Sequence, residues 1–273
     1  TNDRRQRQMC IRDSPMSAFA KFILSLFSRT VLQRFANILL PVLDLWYRGN
    51  TFTDPINEKS YRKFLPYGYV KIRPNVLSPG TLSLERHRLI WLYLKSETDF
   101  FQSAGKVLHM APEKAFISRL KKLPNLDYIS CDLESPLADI KADICDLPFE
   151  DASFDWILCN HVLEHIPNDV KAMHELFRVL KPGGKALLQV PLDSKRDTTF
   201  EDDSITNKTE RTQVFGQYDH VRIYGMDYFE KLSAVGFEVD ALQYGKTCSY
   251  EDRTRYAIVE TEYIPVCVRP IGA

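Results

Sequence analysis

Residues able to do chemistry fall at the ends of apolar runs between residues 106 and 190, with one further cluster beyond them. His109 and Glu113 flank Met110-Ala111-Pro112, and Asp132 follows Tyr128-Ile129-Ser130-Cys131. Asp143 and Ile144 lie beside Asp146, and Asn160, His161 and His165 follow the run Phe154–Cys159. A carboxylate presents two acceptor oxygens, which match two adjacent hydroxyls such as those of a ribose. An imidazole exchanges a proton near neutral pH. Asp219-His220, in a stretch bounded by Gly216 and Gly225, is either an oriented general base or a set of loop hydrogen bonds, because adjacent residues seldom pair directly.

The elements that must position these residues alternate. Strand-like runs at Val107–Met110, Tyr128–Cys131, Phe154–Cys159 and Ala186–Val190 are interleaved with segments of helical period such as Asp169–Leu180. That alternation is the pattern of βαβ units on a parallel sheet, where ligands bind outside the carboxyl ends of the strands. The polar residues above sit at those ends. Lys181-Pro-Gly-Gly184 is expected to end a helix and turn into the fifth strand. Met226–Val235 reads as a helix, and Phe237–Leu242 and Tyr263–Arg269 as closing strands, with Pro265 better suited to an edge or bulge than to a central strand. The polar stretch from Asp193 to Thr212 is long for a connection and reads as a lid or substrate loop.

Three segments carry a resemblance to a known family: Asp143-Ile-Cys-Asp-Leu147-Pro148-Phe149, Val162-Leu-Glu-His165 and Lys181-Pro-Gly-Gly184. With them the chain resembles class I S-adenosylmethionine-dependent methyltransferases of the type-11 branch. The resemblance implies an α/β fold with a Rossmann-like, doubly wound, mostly parallel seven-stranded sheet containing one antiparallel strand. It implies S-adenosyl-L-methionine as cofactor. Asp132 would then hold the ribose, Asp143 (with Asp146 as the competing candidate) and the backbone of Ile144 the adenine, and Asn160, His161 and His165 would line the site or start the following helix. His161 and His220 are the candidate bases. The chain departs from the family at the turn after the first strand, where Ala111, Glu113 and Ala115 replace the glycines of a Gly-x-Gly-x-Gly loop and His109 replaces its leading carboxylate. Small Ala111 still permits close approach. Glu113 either faces the cofactor's ammonium or interacts with a helix N-terminus, and His109 either touches the cofactor or is a buried hydrogen-bonding residue. The replaced glycines motivate an alternative reading, a non-catalytic binding or scaffold protein on the same fold. A nicotinamide oxidoreductase is disfavoured because Gly-x-Gly-x-x-Gly is absent.

Residues 83–273 are the expected catalytic domain, with three segments ahead of it. Residues 1–15 read as a non-native or disordered tail, because Gln6–Asp13 resembles a translated sequencing adapter. Residues 16–50 carry an amphipathic helical stripe; residues 17–46 either pack on the core or contact a membrane surface or protein partner. Residues 51–82 resemble a small zinc ribbon found ahead of this domain in a bacterial subgroup, with Asp54, Asn57, Ser78 and Thr81 at the four thiolate positions. Carboxylate, amide and hydroxyls are a poor set for structural zinc, so no metal is expected and these residues read as turn formers. Ser83–Leu94 reads as a helix capped by Ser83, with His87 on its surface. The six cysteines form no C-x-x-C pair and read as buried reduced thiols of a cytoplasmic protein. Thirty-six basic residues balance thirty-six acidic ones, which gives no global field for nucleic acid. A small-molecule, lipid or glycan acceptor is the expectation.

Overall fold

The computed structural model describes residues 40–68 and 72–272. It divides into two units, residues 1–47 and residues 48–273. In the first, residues 40–46 are helical; the expected tail and most of the amphipathic stripe lie outside the described residues. No helix among the described residues is long and apolar enough to cross a membrane.

The second unit opens with two antiparallel hairpins. Strand β1 (Arg48–Asp54) pairs with β2 (Lys59–Tyr61), and β3 (Leu65–Tyr67) with β4 (Arg73–Leu77). Asp54 is fully buried between them and joins the two turns compared above with metal knuckles. Its Oδ1 accepts the Ile56 N–H, and its Oδ2 accepts the hydroxyls of Thr81 and Ser83. Asn57 accepts the Lys59 N–H and donates to the Tyr61 hydroxyl. Asp54, Asn57 and Thr81 thus act as turn residues, as their types suggest, while Ser83 is not the helix cap the sequence indicates.

Helix α1 (Glu85–Ser96) follows. Its Arg88 is completely buried, where burial lowers the guanidinium pKa to about 10. It donates to the carbonyls of Val76, Ser83, Tyr256 and Ala257 and lies 4.7 Å from the Phe64 ring centre. One side chain therefore ties the hairpins, α1 and the C-terminal part of the chain together.

The main sheet is built from β5 (Gly105–Met110), β6 (Leu126–Asp132), β7 (Ile140–Lys141), β8 (Phe154–Asn160), β9 (Leu180–Gln189), β12 (Glu238–Leu242) and β13 (Ile264–Val268). Their order is β12-β13-β9-β8-β5-β6-β7. The strands from β7 to β9 run parallel, and β13 is antiparallel to both its neighbours. This is the expected Rossmann-like sheet of seven strands with one reversed. Alternation along each strand explains the double winding. Val107, Trp156 and Leu158 pack with Leu89, Ile90 and Phe116 of one helical layer, built from α1 and α2 (Lys114–Leu120). Leu108, Met110, Ile157 and Cys159 face the other, which holds α3 (Asp169–Val179) and, beyond β9, α5 (Tyr228–Val235).

Three local expectations need correction. The Lys181–Gly184 segment does not cap α3: the helix ends at Val179, and the glycines lie in an irregular stretch of β9. The ladder skips from Phe154↔Leu180 to Trp156↔Lys185 there. A Cβ on Gly184 would stand 2.8 Å from the Lys181 carbonyl oxygen, so only glycine fits the fold-back. Pro265 lies in β13, a central strand, but the ladder to β9 begins at Val266, so no sheet hydrogen bond on that side needs its missing N–H. The connection after β9 is not structureless. It holds β10 (Phe200–Glu201), which pairs with β11 (Arg222–Ile223), and α4 (Lys208–Phe215), capped by Asn207. Two short helices not foreseen in the sequence, α6 (Tyr244–Thr247) and α7 (Tyr250–Tyr256), complete the chain before β13.

Candidate functional site

Parallel register sets the site. Met110 pairs with both Cys131 and Cys159, Asp132 with Lys141, and Asn160 with Gln189. The residues that follow therefore share one edge: Ala111, Asp132, Ala142-Asp143, Asn160-His161 and Val190. Two of them turn the backbone sharply. Ala111 has φ +46° and His161 has φ +54°, left-handed values that strain a residue with a Cβ by about 1–3 kcal/mol. Ala111 adopts this conformation within the turn where the family carries its glycines.

Asp132 ends β6 in a turn. Its Oδ1 accepts the N–H groups of Glu134 and Ser135, and Oδ2 has no hydrogen bond within the protein among those described. Asp143 is exposed, with Oδ1 on the Cys145 N–H, and Ile144 beside it is buried. These three positions lie at the carboxyl ends of β6 and β7.

His109 and Glu113 belong to a buried hydrogen-bonded cluster. His109 lies inside β5, with no exposed surface; its Nδ1 is 2.7 Å from the Tyr128 hydroxyl and its Nε2 is 3.5 Å from Glu113 Oε2. Glu113 begins α2 and is held from three elements. His87 Nε2 of α1 is 2.6 Å from Oε1, and Asn160 Nδ2 of β8 donates to Oε2 at 3.1 Å. His87 Nδ1 accepts the Leu84 N–H, which places its proton on Nε2 and makes it the donor to Glu113. Burial pushes the Glu113 pKa up, but the electrostatic pull of the His87 ring, the hydrogen bonds from His109 and His87 and the charge of Arg86 outweigh it and hold the group well below the usual carboxylate range. Burial lowers the pKa of His87, against the opposing pull of Glu113. His87, read from sequence as a surface residue, is 4% exposed and belongs to this cluster. Its signal was present only as a histidine on the apolar stripe of α1.

His161, Asn160 and His165 are brought together at the end of β8. The buried Oδ1 of Asn160 and Nε2 of His161 have no hydrogen-bond partner. His161 Nδ1 lies 3.3 Å from Glu164 Oε1. His161 lines a cavity of about 400 Å³ with Pro191, Asp193, Ile223, Glu262 and Tyr263, among others. Burial raises the pKa of Glu262, which nothing in the sequence singled out. His220 does not line this cavity. Its ring packs at 84° to that of His165, 4.7 Å away, and its Nδ1 is 3.2 Å from the Phe215 carbonyl oxygen. Asp219 does not orient it: the carbonyl of Asp219 lies 3.2 Å from His165 Nδ1, and its carboxylate takes the Gln217 amide. The loop reading of Asp219-His220 is the one the geometry matches.

Comparison with known proteins places these features. Residues 98–188 match the family model of a methyltransferase domain. The chain is 46% identical over 48 residues to a demethylmenaquinone methyltransferase of Staphylococcus carnosus, a match covering 18% of this chain and 20% of that protein. It is 44% identical over 83 residues to a ubiquinone/menaquinone biosynthesis C-methyltransferase of Brucella anthropi, covering 30% and 27%. These matches span roughly a fifth to a quarter of the relatives' own length. Among solved structures, an S-adenosylmethionine-dependent methyltransferase of Mesorhizobium loti is similar with a TM-score of 0.46 at 11% identity, covering 66% of this chain and 96% of the other. Strands β5 to β9, with the edge that carries Ala111, Asp132, Asp143 and Asn160, thus lie within the segment that matches a methyltransferase domain.

Proposed function

We propose that the chain is an S-adenosylmethionine-dependent methyltransferase. The observation that carries the reading is the coincidence of the methyltransferase-domain match with the strand-end row in which Asp132 keeps a carboxylate oxygen without a partner. The cofactor, when bound, supplies a methyl group on a positively charged sulfur. The residues present suit it. Asp132 Oδ2 is available to ribose hydroxyls, Asp143 to the adenine amino group, and the orphaned Oδ1 of Asn160 to the ammonium. Glu113 is not needed for the ammonium, because its oxygens are already engaged by His87, His109 and Asn160.

The cavity beside His161 is the proposed acceptor site. Its size suits a small molecule or one end of a lipid or glycan; the quinone-named relatives favour the first class. Glu164 beside Nδ1 fixes the His161 tautomer with Nε2 as the lone-pair base. There His161 Nε2 would take the proton that an acceptor hydroxyl or amine gives up on methylation. The protein contributes mainly alignment and a polar surround for charge that moves.

The test is calorimetric titration with S-adenosylhomocysteine, and separately with NAD. Micromolar binding of the adenosyl ligand alone is expected, weakened about tenfold or more in Asp132→Ala, since a hydrogen bond to a charged group contributes about 1.5–3 kcal/mol. Well-folded protein that binds no adenosyl ligand would favour the second reading, a non-catalytic scaffold, which the replaced glycines at Ala111, Glu113 and Ala115 motivate.

A further inference from the structure

Four titratable side chains meet at the carboxyl end of β8, and methyl transfer as described above uses only one of them as a base. Glu164 and His165 lie on the single turn of 3₁₀ helix Leu163–His165, and His220 arrives from the loop between α4 and β11. One donor atom from each of Glu164, His165 and His220 lies within 4.8 Å of the other two. We propose that these three residues form a site for a divalent transition-metal ion.

The orientation of the donors supports it. His165 Nδ1 is 3.2 Å from the Asp219 carbonyl oxygen, and His220 Nδ1 is 3.2 Å from that of Phe215. A carbonyl oxygen only accepts, so each imidazole carries its proton on Nδ1 and presents the lone pair of Nε2. Anchoring one ring nitrogen in this way is how proteins fix a metal-binding histidine. Glu164 is 1% exposed, and neither of its carboxylate oxygens receives a well-formed hydrogen bond. Its nearest cationic candidates are His161 Nδ1 at 3.3 Å and His165 Nε2 at 4.0 Å. A buried carboxylate whose nearest donor is one long imidazole contact is incompletely compensated, and a cation offsets that cost directly.

The scaffold around the cluster is rigid. The Val221 N–H donates to the Glu164 carbonyl, and the Arg222 guanidinium donates to the carbonyls of Leu163, Ile166 and Pro167. The Tyr224 hydroxyl bridges the Leu163 carbonyl and Asp169. Two neutral imidazoles and one carboxylate suit zinc, cobalt, manganese or ferrous iron better than magnesium or calcium. Bonds of about 2.0–2.2 Å ask the donors to stand roughly 3–4 Å apart, so closure needs side-chain shifts of about 1 Å. His161, 3.3 Å from Glu164, also lines the proposed acceptor cavity, so the ion would lie behind His161 rather than in the cavity itself. The proposed site is separate from the ribbon-like segment, where no metal is expected, and it was not foreseen in the sequence because its donors come from a turn and a distant loop with no recognisable spacing.

The experiment is titration of chelator-stripped protein with Co²⁺, followed by visible absorption, and with Zn²⁺, followed by calorimetry. S-adenosylhomocysteine binding is measured in parallel on every sample. One equivalent of metal with micromolar or tighter affinity is expected. Glu164→Gln and His220→Ala should each weaken it about tenfold or more, while exposed His174→Ala leaves it unchanged. Folded wild-type protein that binds S-adenosylhomocysteine but no Co²⁺ overturns the metal site and leaves the methyltransferase reading standing. Metal binding unaltered in both Glu164→Gln and His220→Ala also overturns it. Metal binding without adenosyl binding supports the site and counts against the methyltransferase reading.

Discussion

Replacing Glu113 by alanine removes the carboxylate on which three elements converge. His87 Nε2 at 2.6 Å and Asn160 Nδ2 at 3.1 Å would lose their acceptor in a buried setting, and His109 Nε2 its nearest carboxylate at 3.5 Å. A hydrogen bond to a charged group contributes about 1.5–3 kcal/mol, and the contributions do not add when the partners share one group. Breaking a buried charged cluster from one side costs about 3–5 kcal/mol, which is the loss expected for Glu113→Ala. Glu113→Gln keeps an acceptor for Asn160 but turns an amide N–H toward the His87 N–H. His87 cannot simply move its proton, because Nδ1 is committed to the Leu84 N–H. A loss of about 1.5–3 kcal/mol is therefore expected for the isosteric change. The assay is urea unfolding followed by circular dichroism, where a loss of 3 kcal/mol lowers the midpoint by about 1 M or more. A Glu113→Ala protein within 0.5 kcal/mol of wild type, but unable to bind S-adenosylhomocysteine, would refute the reasoning and return Glu113 to the cofactor.

Two further outcomes follow from the same structure. The pKa values of His87 and Glu113 are both lower in the folded protein than their ordinary values. The folded state therefore holds its full contribution from this pair above about pH 6.5 and loses it as pH falls through the depressed values, so the urea midpoint should drop between pH 7 and pH 4; a midpoint that rises on acidification would contradict the pairing. Asp54→Ala leaves the Thr81 and Ser83 hydroxyls and the Ile56 N–H without their acceptor, and should lower stability by about 2–4 kcal/mol with no change in metal content; an unchanged midpoint would count against the Asp54 link between the hairpins.

The sheet was legible in the sequence because its signals are local. Short apolar runs such as Val107–Met110 and Phe154–Cys159 needed only period and length to be read as strands, and the polar residues after them fell at strand ends by construction. Asp132 and His161 were legible for that reason. His87 and Glu262 were not, because they reach the site from α1 and from the segment just before β13, and no local pattern encodes such an approach. Arg222 likewise reads as one more charged residue in a polar stretch, yet it is 2% exposed and braces the turn that carries Glu164. The fold-back at Gly184 was misread for a related reason. Lys-Pro-Gly-Gly is a sound helix-ending signal, but the bulge that uses it depends on the pairing partner Phe154–Trp156.

Strand β13 lies between β12 and β9 although it follows both in sequence. During synthesis, β9 and β12 are both made before the segment that will join them. Until residues 264–268 leave the ribosome, the growing sheet ends at β9 with an open edge, and β12 has no partner in the main sheet. The final strand must therefore enter from solution as an inserted slat, exchanging ladders with two neighbours at once. Completion of this sheet waits for residues 264–268, and β12 is the part of the nascent sheet that most needs shielding until they arrive.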